Sequence, residues 1–164
     1  MRFATLVNPN NRNTDSLTRD AQAAASAIGR QVEILAAGTP REIDAAFVSL
    51  VQKRADALLV SPDPLLDTRR VQLVTLAAHQ RLPAIYSFRE NVEIGGLMSY
   101  GSSAADRDRQ AAVYVGRILK GEVPGSLPVM RAAKFEFVLN LQTARALGLD
   151  VPATLLAQAD DVIE

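Results

Sequence analysis

Cysteine is absent from the 164-residue chain, which excludes disulfides, thiolate catalysis and cysteine-ligated zinc or iron–sulfur sites. A lone histidine, His79, leaves little for a metal cage, and its place near a helix end suits a structural or surface role. Neither sign of charge prevails: 18 basic and 18 acidic side chains cancel, so the total offers nothing to nucleic acid or an acidic membrane. Long apolar runs are missing too, since charge or proline interrupts each one short of the roughly 18 to 20 residues of a spanning helix. Phosphate loops of the forms G-x-G-x-x-G and G-K-S/T do not occur, and Gly95-Gly96 has the wrong spacing for one, which removes the main support for a nucleotide enzyme. No cofactor is expected.

What is present is enough apolar material for one domain: 48% of residues are hydrophobic. Four short apolar runs, Phe3 to Val7, Val32 to Ala36, Ala57 to Val60 and Ala84 to Tyr86, begin about 25 to 29 residues apart, the spacing of strand–helix units. Between them lie helix signals. Thr39-Pro40-Arg41-Glu42 supplies a cap, a proline at the first helical position and a glutamate three residues after the cap. Ile43, Ala46, Phe47, Leu50 and Val51 follow as an apolar stripe. Leu17, Ala21, Ala24, Ala25 and Ile28 form the inner face of a helix from about Thr14 to Ile28 that Gly29 ends. A third helix is expected over Leu66 to Gln80, with Val71, Val74 and Ala78 inward. Alternating strands and helices predict an α/β fold with a parallel, doubly wound, Rossmann-like sheet and right-handed crossovers.

After Tyr86 the rhythm changes. Gly95 to Gly101 reads as a short strand between glycine turns that serve as flexible hinges. Ser103, with Asp106 three residues on, opens a helix to Lys120 whose inner stripe is Ala112, Val115 and Leu119. Pro124 to Pro128 is a loop, and Phe135 to Leu139 a strand. Asn140 caps a helix over Leu141 to Leu147 that stops at Gly148, and a last helix near Pro152 closes the chain. Met1 to Val7 reads as a strand rather than an export signal.

Ligands of open parallel sheets bind at the carboxyl ends of the strands. Four loops qualify: Asn8-Pro9-Asn10-Asn11, Ala37-Gly38-Thr39, Ser61-Pro62-Asp63-Pro64 and Ser87-Phe88-Arg89-Glu90-Asn91. Their amides, hydroxyls, two acids and one arginine, with Phe88 and the nearby Tyr100, suit a small polar or zwitterionic molecule, and no nucleophile stands beside a base. Each feature also has a plainer reading. Asn8-Pro9-Asn10 makes a self-bonded turn, Asp63 between two prolines caps a helix, Arg89 beside Glu90 is a solvated pair, and Asp106 to Arg109 is a solvated helix face.

Phe3-Ala4-Thr5-Leu6-Val7-Asn8-Pro9-Asn10-Asn11, Ala55-Asp56-Ala57-Leu58-Leu59-Val60, Gly95-Gly96-Leu97-Met98-Ser99-Tyr100-Gly101, Lys134-Phe135-Glu136-Phe137-Val138-Leu139-Asn140 and Ala157-Gln158-Ala159-Asp160-Asp161-Val162-Ile163-Glu164, in that order, resemble the substrate-binding proteins of a class of bacterial ABC transporters. The resemblance is to the C-terminal half of the family's longer chains. It implies a type I periplasmic binding fold, in which two lobes close over a ligand, and a non-enzymatic role. Residues 1–98 would form the ligand-binding lobe, 99–123 a crossover strand and helix that packs on a first lobe, and 124–164 a strand and helices returning to the lobe.

On this reading the chain is a solute-binding component of an ABC transporter. Its expected contacts are Asn8 and Asn10 as orienting amides, Asp63 accepting from a ligand amine, Arg89 meeting a carboxylate and Tyr100 as an apolar wall. The expected partners are a small molecule such as an amino acid, an ABC permease if a first lobe is supplied, and a second copy in a homodimer built through the helix from Ser103 to Lys120. The expected compartment is periplasmic by resemblance, or cytoplasmic if the chain is a complete gene product. Two alternatives stand: a cytoplasmic effector-sensing domain of the same fold, which here lacks a helix-turn-helix, and a small flavodoxin-like enzyme, for which Asn8-Pro9-Asn10-Asn11 is a poor phosphate loop.

Overall fold

Five strands lie side by side and point the same way: β1 (Phe3–Val7), β2 (Val32–Ala36), β3 (Ala57–Val60), β4 (Ala84–Tyr86) and β5 (Met98–Ser102). β6 (Phe135–Asn140) runs antiparallel to β5, and β7 (Asp161–Ile163) runs parallel to β6. The order is β2-β1-β3-β4-β5-β6-β7. The order reverses between β1 and β3, which sets the carboxyl ends of those two strands side by side at the point where open α/β sheets take their ligands. The computed structural model describes residues 1–130 and 134–164, so the returning segment expected over 124–164 is seen apart from 131–133.

The helices are α1 (Thr14–Ala27), α2 (Pro40–Gln52), α3 (Pro64–Thr68), α4 (Arg70–His79), α5 (Arg89–Glu93), α6 (Ala104–Leu119), α7 (Leu141–Leu147) and α8 (Ala153–Leu156), with a 3-10 turn over Pro124–Ser126. Their starts follow the capping chemistry of the sequence. Thr39 accepts from the Glu42 amide, Ser103 from the Asp106 amide and Asn140 from the Thr143 amide. The Glu42 carboxylate turns to the Gly38 N–H instead of the cap residue's own. No helix among the described residues is long and apolar enough to cross a membrane.

The core lies on one side of the sheet. Ala4 and Leu6 of β1, Leu58 and Val60 of β3, and Ala84 and Tyr86 of β4 form one buried cluster with Ile43, Phe47 and Leu50 of α2, Leu66 of α3, and Leu73, Val74 and Ala77 of α4. On the other side α1 buries only Ala25, and its expected inward residues Ala21, Ala24 and Ile28 border an open apolar groove.

Several expectations are corrected. The helix predicted over Leu66 to Gln80 is two helices broken at Arg69, and the break turns the stripe: Leu73, Val74 and Ala77 face inward, while Val71 and Ala78 are exposed. Val51 falls outside the α2 stripe and is exposed. The loop expected over Ser87 to Asn91 ends in α5, too short to show a period. The chain closes on β7 and not on a helix, because the Asp160 N–H and Oδ2 both bond the backbone of Phe137 and steer the last residues along β6. Gly101 is no hinge: a Cβ there would stand 2.0 Å from the Ser87 carbonyl oxygen, so the residue lets β4 and β5 approach. The inner stripe of α6 is not inner, since no residue of that helix is buried.

Candidate ligand-binding site

The turn after β1 is built from asparagine. The Asn8 side-chain oxygen accepts from the Asn10 N–H at 3.0 Å, the Asn11 oxygen accepts from the Asn13 N–H at 2.9 Å, and the Thr14 hydroxyl donates to the Asn8 carbonyl. Both remaining side-chain amides go to one carboxylate. Asn8 Nδ2 donates to the two oxygens of Asp63 at 3.1 Å each, and Asn11 Nδ2 donates to Oδ2 at 2.8 Å. Asp63 also caps α3, accepting from the Leu65 and Leu66 amides at 2.8 and 3.2 Å.

The two plainer readings of these loops are thus realised together, as an Asx turn bonded to a helix cap. They clamp the end of β1 to the end of β3. Burial works to raise the Asp63 pKa, and the hydrogen bonds from Asn11, Asn8, Leu66 and Leu65 outweigh it, so the carboxyl sits below its ordinary value and is ionised. With its oxygens so occupied, Asp63 holds the loop in shape more than it offers an acceptor. Asn11 is not among the expected site residues, because the acid it binds lies 52 positions away.

Asn10 is exposed above Gly38, at the start of the turn into α2. A Cβ at Gly38 would lie 2.6 Å from Asn10 Nδ2 and 3.4 Å from Asn8 Oδ1, so only glycine leaves this amide its position. Next to the clamp, Ser61 Oγ is buried with no hydrogen-bond partner. It lines a cleft of about 10 Å³, roughly the room of one water, together with Asp63, Tyr86, Ser87, Phe88 and Asn91. Burial raises the Tyr86 pKa, so the phenol keeps its proton.

Arg89 stands apart from the amides. Its guanidinium donates to Glu93, Glu136 and Asp161, each at 2.8 Å, joining α5, β6 and β7. Its hydrogen bonds to Glu93 and Asp161 raise its pKa further above the ordinary arginine value against the pull of burial. Three carboxylates around one cation leave this corner of the rim negative, so a ligand carboxylate would have to displace one of them.

Tyr100 lies on the opposite face of the sheet. Met98 and Tyr100 are two apart in β5 and share the face of the groove beside α1, whereas Ser99 and Gly101 share the face of Arg89. Tyr100 is 58% exposed and stacks on Phe135 with ring centroids 5.7 Å apart. Phe88, half-buried, lines both the cleft beside Asp63 and the cleft beside Arg89. Asn8, Asn10 and Asp63 are therefore brought together, and Arg89 and Tyr100 flank them on opposite faces. Among the described residues no group of three or more His, Asp or Glu side chains is placed to hold a metal ion.

Solved structures share this fold. A conserved domain protein from Vibrio cholerae O1 biovar eltor superposes with a TM-score of 0.88 at 25% identity, over 98% of this chain and 54% of its own. An ABC domain from Streptococcus pneumoniae, solved in complex with L-Trp, gives 0.87 at 25% identity over 99% of this chain and 56% of its own. The ligand-free, open structure of a Clostridium difficile substrate binding protein with adhesive properties gives 0.70 at 22% identity, over 99% and 54%. The chain thus spans about half the length of these proteins, and its mostly parallel seven-stranded sheet is a Rossmann-like lobe of the periplasmic binding type. The curated proteins yield no sequence match. The family model described as ABC transporter substrate binding protein matches residues 2–163, and on that match the chain belongs to the ABC transporter substrate-binding protein family.

Proposed function

We propose that this chain supplies one wall of the ligand cleft of a transporter's solute receptor, without catalysis, and that the solute is a small polar molecule of the amino-acid type. The observation that carries the reading is the clamp of Asn8, Asn11 and Asp63 at the topological switch point, which holds Asn10 exposed over Gly38. A recognition site needs its polar groups fixed before the ligand arrives, and this one spends a buried carboxylate on that task. The L-Trp complex of the Streptococcus relative supports the ligand class.

In this reading Asn8 and Asn10 orient polar groups of the solute, Asp63 fixes Asn8 and draws a ligand amine toward the clamp by its charge, and Phe88 closes the apolar side. Arg89 reaches a carboxylate by exchanging it for one of its acidic partners, and Tyr100 forms a wall where a second lobe meets the rim. Residues 1–98 are the binding lobe, 99–123 the crossover and 124–164 the return. The compartment is the periplasm, the downstream partner a membrane permease, and self-association a homodimer.

Thermal unfolding with a panel of L-amino acids tests the ligand class. One or more should raise the midpoint, since a ligand at a hundred times its Kd stabilises by about 2.7 kcal/mol, and Asn10→Ala should abolish that shift while leaving the unliganded midpoint in place. A panel with no shift, together with no retained small molecule in native mass spectrometry, would overturn the reading.

A further inference from the structure

A parallel sheet needs helices on both faces, and here one face is half covered. Leu59 lies in β3, a central strand, yet is 38% exposed. With Phe3, Ile85 and Met98 it floors an apolar groove of about 420 Å³ walled on one side by Ala24 and Ile28 of α1. What is missing is one helix laid beside α1 across β3, β4 and β5.

The same chain carries one long helix without a sheet. α6 buries none of its 16 residues. Ala111, Ala112, Val115, Ile118 and Leu119 form a stripe at helical spacing, with Leu119 81% exposed. Its first turns, through Asp106 to Gln110, are polar. The apolar half from Ala111 to Leu119 is about 12 Å long, and a five-residue strand is about 13 Å. The stripe and the groove therefore match in length as well as in polarity.

We propose that two copies of the chain exchange α6, each laying Ala111 to Leu119 of its helix in the groove beside α1 of the other. A segment that leaves its own domain to fill an identical vacancy in a second copy gives a closed two-fold dimer, with each contact made twice. Doubling a helix-on-sheet contact brings the buried area to the order of the 1,200 to 2,000 Å² of a stable interface. α6 departs from the carboxyl end of β5, so the polar first turns bridge the two rims. The dimer sets the Asn8 and Asn10 loops of the copies face to face, and each rim gains the opposing wall it lacks alone. The exchange does not depend on what the rim binds.

Light scattering coupled to size exclusion tests this on the 164-residue chain, with the expected mass twice the 17.7 kDa of one copy. Leu119→Asp spoils the helix stripe and Ala24→Lys spoils the groove, and both positions are exposed, so circular dichroism should show each variant folded. Each should weaken the homodimer by roughly a thousandfold, because a hot spot worth about thirtyfold is lost at both contacts. Mixing the two variants should restore dimers, because one contact of the mixed pair is intact on both sides and the other sets the introduced acid against the introduced amine. A 17.7 kDa species at every concentration overturns the proposal. So does a dimer that Leu119→Asp breaks and Ala24→Lys does not, which would be helix on helix, and so does a mixture that stays monomeric.

Discussion

Leu58 and Leu59 are neighbours in β3, yet one is 1% exposed and the other 38%. The difference lies in what covers each face of the sheet. Leu58 points to α2, α3 and α4, whose side chains close over it, and Leu59 points to the groove that α1 leaves open. Two identical side chains of equal strand propensity thus have different energetic weight. Burial here is a property of the helix opposite and not of the residue.

Leu58→Ala should cost about 2 to 5 kcal/mol, the range for a core leucine, because a cavity opens under packed helices. Leu59→Ala should cost about 1 kcal/mol in the isolated copy, since more than a third of the side chain is already in water and no closed cavity is left behind. Urea unfolding at low protein concentration reads both. Equal losses would break the comparison, and a loss at Leu59 that grows with concentration would sharpen it by showing that a second copy covers the face.

The rim depends on a different kind of bond. Asp63→Ala removes the cap of α3, worth about 1 kcal/mol by itself. It also leaves the Asn8 and Asn11 amides without their acceptor, so the total loss should reach about 2 kcal/mol. Asn10→Ala removes no bond inside the loop and should stay within about 0.5 kcal/mol of the parent. Denaturation midpoints that fall equally for both would show that the clamp does not hold the loop.

Acid should expose the same clamp. The folded Asp63 carboxyl titrates below its unfolded value of about 3.9, so the unfolded chain takes the proton first. Its contribution is complete above that unfolded value and is lost as the pH falls through the depressed folded one. Unfolding midpoints followed from pH 5 to pH 2 should therefore fall less steeply in Asp63→Asn than in the parent. Parallel curves would mean that other carboxylates carry the acid sensitivity.

Much of this is legible in the sequence. Strands β1 to β4 announce themselves as apolar runs, and α2, α6 and α7 by their caps, because both signals are local. Which face of the sheet each strand residue meets is not local, so Leu58 and Leu59 read alike. The partners of Arg89 at Glu136 and Asp161 lie 47 and 72 positions away, and nothing in the sequence of its loop distinguishes a guanidinium already paired from one awaiting a ligand. β7 escaped for the same reason: three residues have no period of their own, and only pairing with Val138 to Asn140 makes them a strand.

The smallest expected effect has the opposite sign. Thr5 lies in the middle of β1, 1% exposed, and its hydroxyl finds no hydrogen-bond partner. Its side chain contributes to the groove face, while its neighbours Ala4 and Leu6 belong to the packed core. A buried hydroxyl without a partner costs free energy that a methyl group of the same shape does not, so Thr5→Val should stabilise the isolated copy by up to about 1 kcal/mol. The gain should come without change in the denaturant slope, since the exposed area on unfolding is nearly the same. If Thr5→Val instead destabilises, the hydroxyl is bonded in solution, and the face beside α1 is more polar than its lining of Phe3, Leu59, Ile85 and Met98 implies. A loss seen only at concentrations where the chain is dimeric would place that bond across the exchanged helix.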